Sequence, residues 1–209
     1  MVGKGVLLEC IDSPDVSEIL LINRNSVNLI HPKVKEIIHK DFFEWSSIKD
    51  QLIGYDACFF CLGVSSAGMN EPNYRKMTYD LTLGFAKEMH KVNPGITFCY
   101  VSGAGTDSSE KGKSMWARVK GKTENDLLTL GFKSAYMFRP GFIRPMRGIK
   151  SRTPLYNTLY IFIKPFVGLI LRNPKIATDS ITLGKAMINV GLHGYSKKIL
   201  ESLDINEFK

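Results

Sequence analysis

The stretch that decides the fold is Ile96-Thr-Phe-Cys-Tyr-Val-Ser-Gly-Ala-Gly105, followed after a loop by Met115-Trp-Ala-Arg-Val-Lys120. The first part is a continuous apolar run ending in a serine and two glycines, which is typical of a buried parallel strand. The second part predicts a helix that carries Trp116 and Lys120, and their spacing of four residues places both side chains on one face. We therefore expect the Ser102 hydroxyl, at the carboxyl edge of the strand, to face this pair.

Strands and helices alternate along the rest of the chain. Apolar strands are predicted near 18–23, 56–62 and 134–138, and helices near 3–12, 73–92, 115–130 and 178–190. Continuous apolar runs between helices indicate a parallel sheet covered on both faces. The predicted fold class is α/β, with a Rossmann-type doubly wound parallel sheet. With 209 residues the chain suits a single Rossmann-like domain spanning 1–209, in which 146–209 forms a small helical portion at the substrate cleft.

The beginning of the chain departs from the usual Rossmann order. Its first residues form an amphipathic helix, whereas Rossmann domains begin with an apolar strand and a Gly-x-x-Gly-x-x-Gly turn before such a helix. Gly3 fits the third glycine of that turn, so we expect a truncated chain that lacks the first strand and the first two glycines. The alternative is that Met1 is the true start and the glycine is incidental. Because the first strand is central in the order 3-2-1-4-5-6, its loss leaves two strands without a shared partner.

Composition is that of an ordinary soluble globular protein, with 44% hydrophobic and 23% charged residues. The four cysteines lie in apolar segments. Cys58 and Cys61 have metal-like spacing, but residues three apart on a strand point to opposite faces. We therefore expect free buried thiols in a reducing cytoplasm, and no metal site. No signal peptide precedes the first helix.

The net charge of +8 raises the question of nucleic-acid binding. The basic residues are scattered, with local density only in 111–122 and 139–152, and no DNA-reading motif is present. Because both dense regions flank the predicted cleft, an anionic small molecule explains them better. The predicted partner is a small-molecule substrate rather than a nucleic acid.

An apolar, aromatic segment covers residues 154–172 and is interrupted by Lys164-Pro165. It is slightly short for a membrane-spanning helix, and a helix packed over the substrate cleft is the expected structure. Its apolarity leaves open a homodimer contact or a weak contact with a membrane surface.

Residues at strand ends are the candidates for the adenosine side of a dinucleotide site. At the position of Arg24 an acidic residue would bind the ribose 2′-hydroxyl, whereas an arginine suits a 2′-phosphate. This favours NADP over NAD as cofactor, unless Arg24 is an ordinary solvated residue. Asp41 would accept a hydrogen bond from adenine or cap the following turn. Leu62, Gly63 and Val64 would line the adenine–ribose side, or form a plain tight turn.

The candidates for the reacting side lie at the next two strand ends. Ser102 would hydrogen-bond a substrate carbonyl, and Lys120 would bind the nicotinamide ribose. Trp116 cannot serve as a proton donor, because its indole N–H is not a usable acid at neutral pH. Three other tyrosines are candidate substitutes, although no spacing recommends one of them: Tyr79, Tyr100 and Tyr136.

A Pro-Gly turn follows the sixth strand of the pattern. Pro140, Gly141 and Phe142 would turn the chain across the cleft and contact the nicotinamide end. The neighbouring Arg139 and Arg144 would serve a substrate anion.

Six motifs taken together carry a family resemblance: the partial glycine turn, Asn23-Arg24, Tyr55-Asp-Ala-Cys-Phe-Phe-Cys-Leu-Gly63, Val101-Ser-Gly-Ala-Gly105, Val119-Lys-Gly-Lys-Thr-Glu124 and Arg139-Pro-Gly-Phe142. Over nearly the whole chain they resemble the atypical short-chain dehydrogenase/reductases. The best match is the Tat-interacting-protein-like branch, often labelled NAD-dependent epimerase/dehydratase. The resemblance implies a Rossmann fold, NADP(H) binding, a cytoplasmic location and a catalytic Tyr-x-x-x-Lys pair. This chain departs from that pair at Trp116.

Two functions follow as hypotheses. The first is an NAD(P)(H)-binding oxidoreductase-like protein that acts on an unknown small carbonyl or sugar-like substrate. The alternative is a non-catalytic nucleotide-binding protein with a regulatory or interaction role. Ser102 and Lys120 favour the first hypothesis, and Trp116 favours the second.

Overall fold

The computed structural model describes residues 1–149 and 173–209. The helices of this part are α1 (Val2–Asp12), α2 (Glu71–Arg75), α3 (Leu81–Val92), α4 (Met115–Leu128), α5 (Ser180–His193) and α6 (Ser202–Ile205). The strands are β1 (Ile19–Asn23), β2 (Val34–Ile38), β3 (Ala57–Phe60), β4 (Thr97–Val101), β5 (Ser134–Arg139), β6 (Phe142–Arg144), β7 (Ala177–Asp179) and β8 (Ile199–Glu201). A π-helical turn at Lys76–Asp80 joins α2 to α3, and 3-10 turns occupy Lys49–Leu52 and Asn206–Phe208.

Four parallel strands form the main sheet, in the order β3-β4-β5-β8. Strand β4, the predicted apolar run, lies inside this sheet and contributes side chains to a hydrophobic core on each face. Phe98 and Tyr100 pack with the aromatic cluster around α3, whereas Cys99 packs with α1 and α5. This division follows from the alternation of side chains along a strand. It explains why every residue of the run is apolar except Thr97.

Strands β1 and β2 form a separate parallel pair, in which Ile19 lies opposite Val34. Within the described residues no strand joins β1 to β3, and all five residues of β1 remain only half-buried. This interval is where a doubly wound sheet has its central strand. The predicted α/β Rossmann-type fold, with the first strand missing from the described sheet, is therefore confirmed.

Helices α1 and α5 pack closely because glycines meet at their crossing. A Cβ added at Gly5 would lie 2.9 Å from the Cβ of Ser180, and one added at Gly184 would lie 2.9 Å from the Cβ of Glu9. Side chains at either position would push the helices apart. The pair covers the β4 face that carries Cys99.

The C-terminal portion contributes strands as well as helices. Strand β8 completes the main sheet beside β5, and β7 pairs with β6. The described part of 146–209 is therefore mixed rather than purely helical. The apolar segment 154–172 lies outside the described residues. Of the helices that the structure describes, none is long and apolar enough to cross a membrane.

Candidate functional site

A cleft of about 370 Å³ opens at the carboxyl ends of β4 and β5. Gly103 and Gly105 have φ angles of 145° and 84°, which favour glycine, so the chain can turn sharply as it leaves β4. The cleft is lined by Val64, Ser65, Ser66, Tyr74, Gly103, Ala104, Trp116, Lys120, Pro140 and Gly141. Five residues that the sequence predicted for the site are thus brought together: Val64, Trp116, Lys120, Pro140 and Gly141.

Helix α4 presents Trp116 and Lys120 to the cleft from successive turns. The Trp116 indole lies against Gly105, where an added Cβ would be 3.4 Å from Cη2. Lys120 Nζ donates a hydrogen bond to the backbone carbonyl of Ser102 and so ties α4 to the end of β4. Burial lowers the pKa of Lys120 to about 8, and the Glu124 carboxylate opposes part of that shift. Lys120 therefore loses its proton more readily than an ordinary lysine.

The Ser102 hydroxyl faces the protein interior and not the cleft. Its Oγ donates to Glu124 Oε1 at 2.5 Å and lies 3.2 Å from the carbonyl oxygen of Phe138. Ser102 is buried and is not part of the cleft wall. To reach a substrate carbonyl the hydroxyl would have to leave Glu124, so its predicted role toward substrate stays a prediction.

Glu124, which the sequence analysis did not single out, anchors this side of the site. It is fully buried, and Arg139 Nε lies 3.0 and 3.1 Å from its two carboxylate oxygens. Arg139 also contacts Ser108 Oγ at 2.5 Å and Glu201 Oε1 at 3.3 Å. Arg139 is therefore committed to internal partners rather than offered to a substrate anion. The sequence pattern that could have identified Glu124 is its spacing, because it lies four residues after Lys120 on the same helix.

Tyr74, from α2, is a second residue that sequence reasoning missed. Its side chain lines the cleft although only 2% of it is exposed. Burial raises the pKa of Tyr74, so its phenol stays protonated at neutral pH. The three tyrosines considered from the sequence are not in the cleft wall: Tyr79 and Tyr136 hydrogen-bond elsewhere, and Tyr100 is buried in the core.

The residues predicted for the adenine–ribose side are mostly exposed. Leu62 and Gly63 lie at the surface beyond β3, and a Cβ added at Gly63 would meet no atom within 4 Å. Only Val64 of this trio reaches the cleft wall. Asp41 Oδ1 accepts a hydrogen bond from the Phe43 amide at 2.9 Å. Asp41 thus caps the turn, the second of its two predicted roles, and its contact with adenine stays a prediction.

Arg24 is exposed at the end of β1, where the sequence predicted a 2′-phosphate contact. Lys40 Nζ donates to the Arg24 backbone carbonyl at 2.7 Å and to Asn25 Oδ1 at 3.3 Å. This places the Lys40 ammonium group beside the backbone of Arg24. Lys40 was not identified from the sequence, because its proximity to Arg24 depends on the parallel pairing of β1 and β2.

Gly3 and Gly141 allow close packing at the edges of the site. A Cβ added at Gly3 would lie 3.4 Å from the Cβ of Cys61, just after β3, so α1 passes close to the end of that strand. One added at Gly141 would lie 2.3 Å from the carbonyl oxygen of Ile176, so only glycine fits there. Phe142 begins β6, pairs with Ala177 of β7 and is not in the cleft wall.

Metal ligands and reactive thiols are not features of the described site. In residues 1–149 and 173–209, no group of three or more His, Cys, Asp or Glu residues could hold a metal ion. All four cysteines are free thiols. Burial raises the pKa of Cys10 and of Cys61 to about 12, which keeps both thiols protonated and unreactive.

Two of the basic residues near the cleft have acidic partners. Arg118 pairs with Glu71 at 2.5 Å, and Lys122 pairs with Asp126 at 3.1 Å. Part of the local positive charge is thus matched within the protein. The cleft itself keeps Lys120 as the cation in its wall.

Comparison with known proteins identifies relatives by sequence, although no protein-family model matches the chain. The protein "fmp52, mitochondrial" of Emericella nidulans is 27% identical over 208 residues, which covers 95% of this chain and 86% of that protein. The protein of the same name in Candida albicans is 27% identical over 211 residues, covering 98% and 90%.

Solved structures share the fold at lower identity. UDP-N-acetylglucosamine 4-epimerase from Methanobrevibacter ruminantium has a TM-score of 0.63 at 15% identity, over 95% of this chain and 71% of that one. WbmF from Bordetella bronchiseptica, solved in complex with NAD+, has a TM-score of 0.65 at 13% identity, over 99% and 73%. These likenesses concern the fold.

The predicted cytoplasmic location is wrong, because the relatives are named as mitochondrial proteins. The prediction rested partly on free thiols, and burial keeps a thiol free in any compartment. The predicted resemblance is confirmed at the level of the fold. The chain has a Rossmann fold like that of the solved epimerases, and its relatives are named as mitochondrial fmp52 proteins.

Proposed function

We propose that this protein binds a nicotinamide dinucleotide in the cleft and acts as an oxidoreductase on a small carbonyl or sugar-like substrate. The observation that carries the proposal is the convergence of Lys120, Trp116 and the Pro140-Gly141 turn on one cleft at the carboxyl ends of parallel strands. Ligands of open α/β sheets bind at such ends. Solved proteins of the same fold contain NAD.

The residues present fit the nicotinamide half of such a ligand. Lys120 offers N–H donors to ribose hydroxyls. Gly103 lies next to this group, because a Cβ added at Gly103 would be 3.9 Å from Lys120 Nζ. For the pyrophosphate, the first turn of α1 carries no acidic side chain, and its helix dipole favours an anion. The bound dinucleotide would supply hydride transfer.

We further propose that NADP(H) is preferred over NAD(H). Arg24 makes no ion pair among the described residues, and the Lys40 ammonium group donates to its backbone carbonyl. A planar guanidinium with a neighbouring ammonium suits a 2′-phosphate. Arg24→Glu should therefore reverse the preference, because its carboxylate would accept from the ribose 2′-hydroxyl and repel the phosphate.

Within the cleft the chain's own residues would orient the reactants. Lys120 would hold the ribose while remaining tied to the end of β4 through Ser102. The Trp116 indole, packed on Gly105, would close one wall and exclude water. The Glu124–Arg139 pair would hold α4 and β5 in a fixed position relative to each other.

The test is titration with NADPH and NADH, followed by nucleotide fluorescence. Wild-type protein should bind NADPH more tightly than NADH. Lys120→Met should weaken both by about tenfold, the worth of one charge-assisted hydrogen bond. Lys87→Met, which changes an exposed lysine of α3, is the matched control. Equal affinities of the Lys120→Met and Lys87→Met variants would remove Lys120 from the binding site.

A second candidate is a non-catalytic nucleotide-binding protein with a regulatory role. Two observations favour it: an indole replaces the acidic phenol at 116, and the Ser102 hydroxyl is committed to Glu124. In that case the nucleotide would bind without turnover of any carbonyl compound. Trp116→Tyr distinguishes the two candidates, because a gain of reductase activity indicates an enzyme scaffold.

We also propose a mitochondrial location, by analogy with the names of the relatives. Fractionation of cells that express the tagged chain, with protease protection of intact mitochondria, tests it. Recovery of the chain in the cytosolic fraction alone would contradict the proposal.

A further inference from the structure

The cleft needs a proton donor if carbonyl chemistry occurs there, and its wall offers few. Of the lining side chains, Ser65, Ser66, Tyr74 and Lys120 carry an exchangeable proton on oxygen or on a charged nitrogen. Serine hydroxyls are too weakly acidic to act alone. The choice therefore falls between the phenol of Tyr74 and the ammonium group of Lys120.

Lys120 occupies the better position. Its Nζ reaches the end of β4, where it donates to the Ser102 carbonyl, and lies beside Gly103 and the Pro140 turn. An ammonium has three N–H donors, so one bond to Ser102 leaves others for a ligand in the cleft. Tyr74 comes from α2, which packs against α4, and its side chain is almost fully buried.

Resting on the proposed function, we propose that Lys120 itself is the proton donor to the substrate oxygen, in place of the missing tyrosine. At position 116 the indole gives a supporting lysine no phenol to assist, and the remaining phenol of the wall, Tyr74, is almost fully buried. Lys120 thus combines the proton-transfer role with ribose binding.

The electrostatic surroundings agree with this assignment. Burial lowers the pKa of Lys120 to about 8, near the pH at which acid–base groups are most effective. Glu124, from the same helix, acts in the opposite direction, but its carboxylate is already paired with Arg139 of β5. From α2, Tyr74 remains a neutral phenol because burial raises its pKa.

In the proposed step the substrate oxygen takes its proton from Lys120. One Nζ–H bond of Lys120 breaks and an O–H bond forms on the former carbonyl oxygen of the substrate. Lys120 is left as the neutral amine, which regains a proton from water. The two electrons and the hydrogen on carbon come from the reduced nicotinamide, which becomes oxidised.

The first readout needs no nucleotide. In protein labelled with carbon-13 at lysine Cε, one NMR signal should titrate near pH 8. Lys120→Met should remove that signal, and the control Lys87→Met should remove a different one. Titration of the Lys120 signal at about 10.4, the ordinary lysine value, would overturn the inference whether or not nucleotide binds.

The second readout is aldehyde reduction by NADPH as a function of pH. The rate should be constant below pH 8 and fall above it, because the protonated amine is the donor. Lys120→Arg keeps the charge but cannot release a proton, so the rate should drop about 10²–10⁴-fold. That loss should exceed the loss in Tyr74→Phe. The reverse order would assign the proton to Tyr74, whereas absence of nucleotide binding would overturn the proposed function itself.

Discussion

Replacing Glu124 by leucine breaks a buried ion pair from one side, and we expect a large loss of stability. Glu124 is completely inaccessible and Arg139 is 9% exposed. In the variant the guanidinium keeps only Ser108 Oγ at 2.5 Å and the half-exposed Glu201 at 3.3 Å. Removal of one partner of a buried pair costs about 3–5 kcal/mol. Because Arg139 keeps Glu201, we expect the lower end, and the lost acceptor of Ser102 adds about 1 kcal/mol.

Urea unfolding followed by circular dichroism measures this loss. With an m value of about 3 kcal/mol/M, the midpoint should fall by about 1 M. The double variant Glu124→Leu/Arg139→Met leaves no buried unpaired charge, since Glu201 is half-exposed, and should recover most of the stability. Lys91→Met, which breaks the exposed Glu88–Lys91 pair, is the control and should change stability by about 0.5 kcal/mol or less. A Glu124→Leu loss no larger than that of the control would refute the reasoning.

Three further predictions concern the site and its packing. Trp116→Tyr places a phenol beside Lys120 and should raise NADPH-dependent aldehyde reduction by about tenfold or more; no gain would support the non-catalytic alternative. Gly121→Ala would put a Cβ 1.8 Å from the Asp107 carbonyl oxygen and should cost about 3 kcal/mol or more in urea unfolding, whereas Gly84→Ala, with no atom within 4 Å, should gain about 0.5–1 kcal/mol. Cys10, whose pKa burial raises to about 12, should resist a thiol reagent until the protein unfolds; rapid labelling of folded protein would contradict that burial.

The sheet and its main helices could be predicted because their patterns are long. Strands β4 and β5 are continuous apolar runs, and α4 has four-residue spacing over several turns. Strands β6, β7 and β8 have three residues each, which is too short to show a period. The predicted helix 73–92 is interrupted by the π-helical turn at 76–80, a backbone hydrogen-bond detail that side-chain periodicity does not encode.

The site could be predicted where it follows strand ends, because the carboxyl ends of parallel strands meet at one edge. Lys120 and Gly141, both chosen by that reasoning, line one cleft in the structure. It did not find Tyr74, which reaches the cleft through the packing of α2. Nor did it anticipate the orientation of Ser102, which depends on the buried Glu124 carboxylate 22 positions later in the chain.

Energy transfer from tryptophan to NADPH tests the central claim, binding of the nucleotide in the cleft. The chain has two tryptophans, Trp116 in the cleft wall and Trp45 in the core. We predict saturable transfer, with a larger loss of the transfer signal in Trp116→Phe than in Trp45→Phe. An equal or larger loss in Trp45→Phe, or the absence of any saturable signal with either nucleotide, would contradict the account.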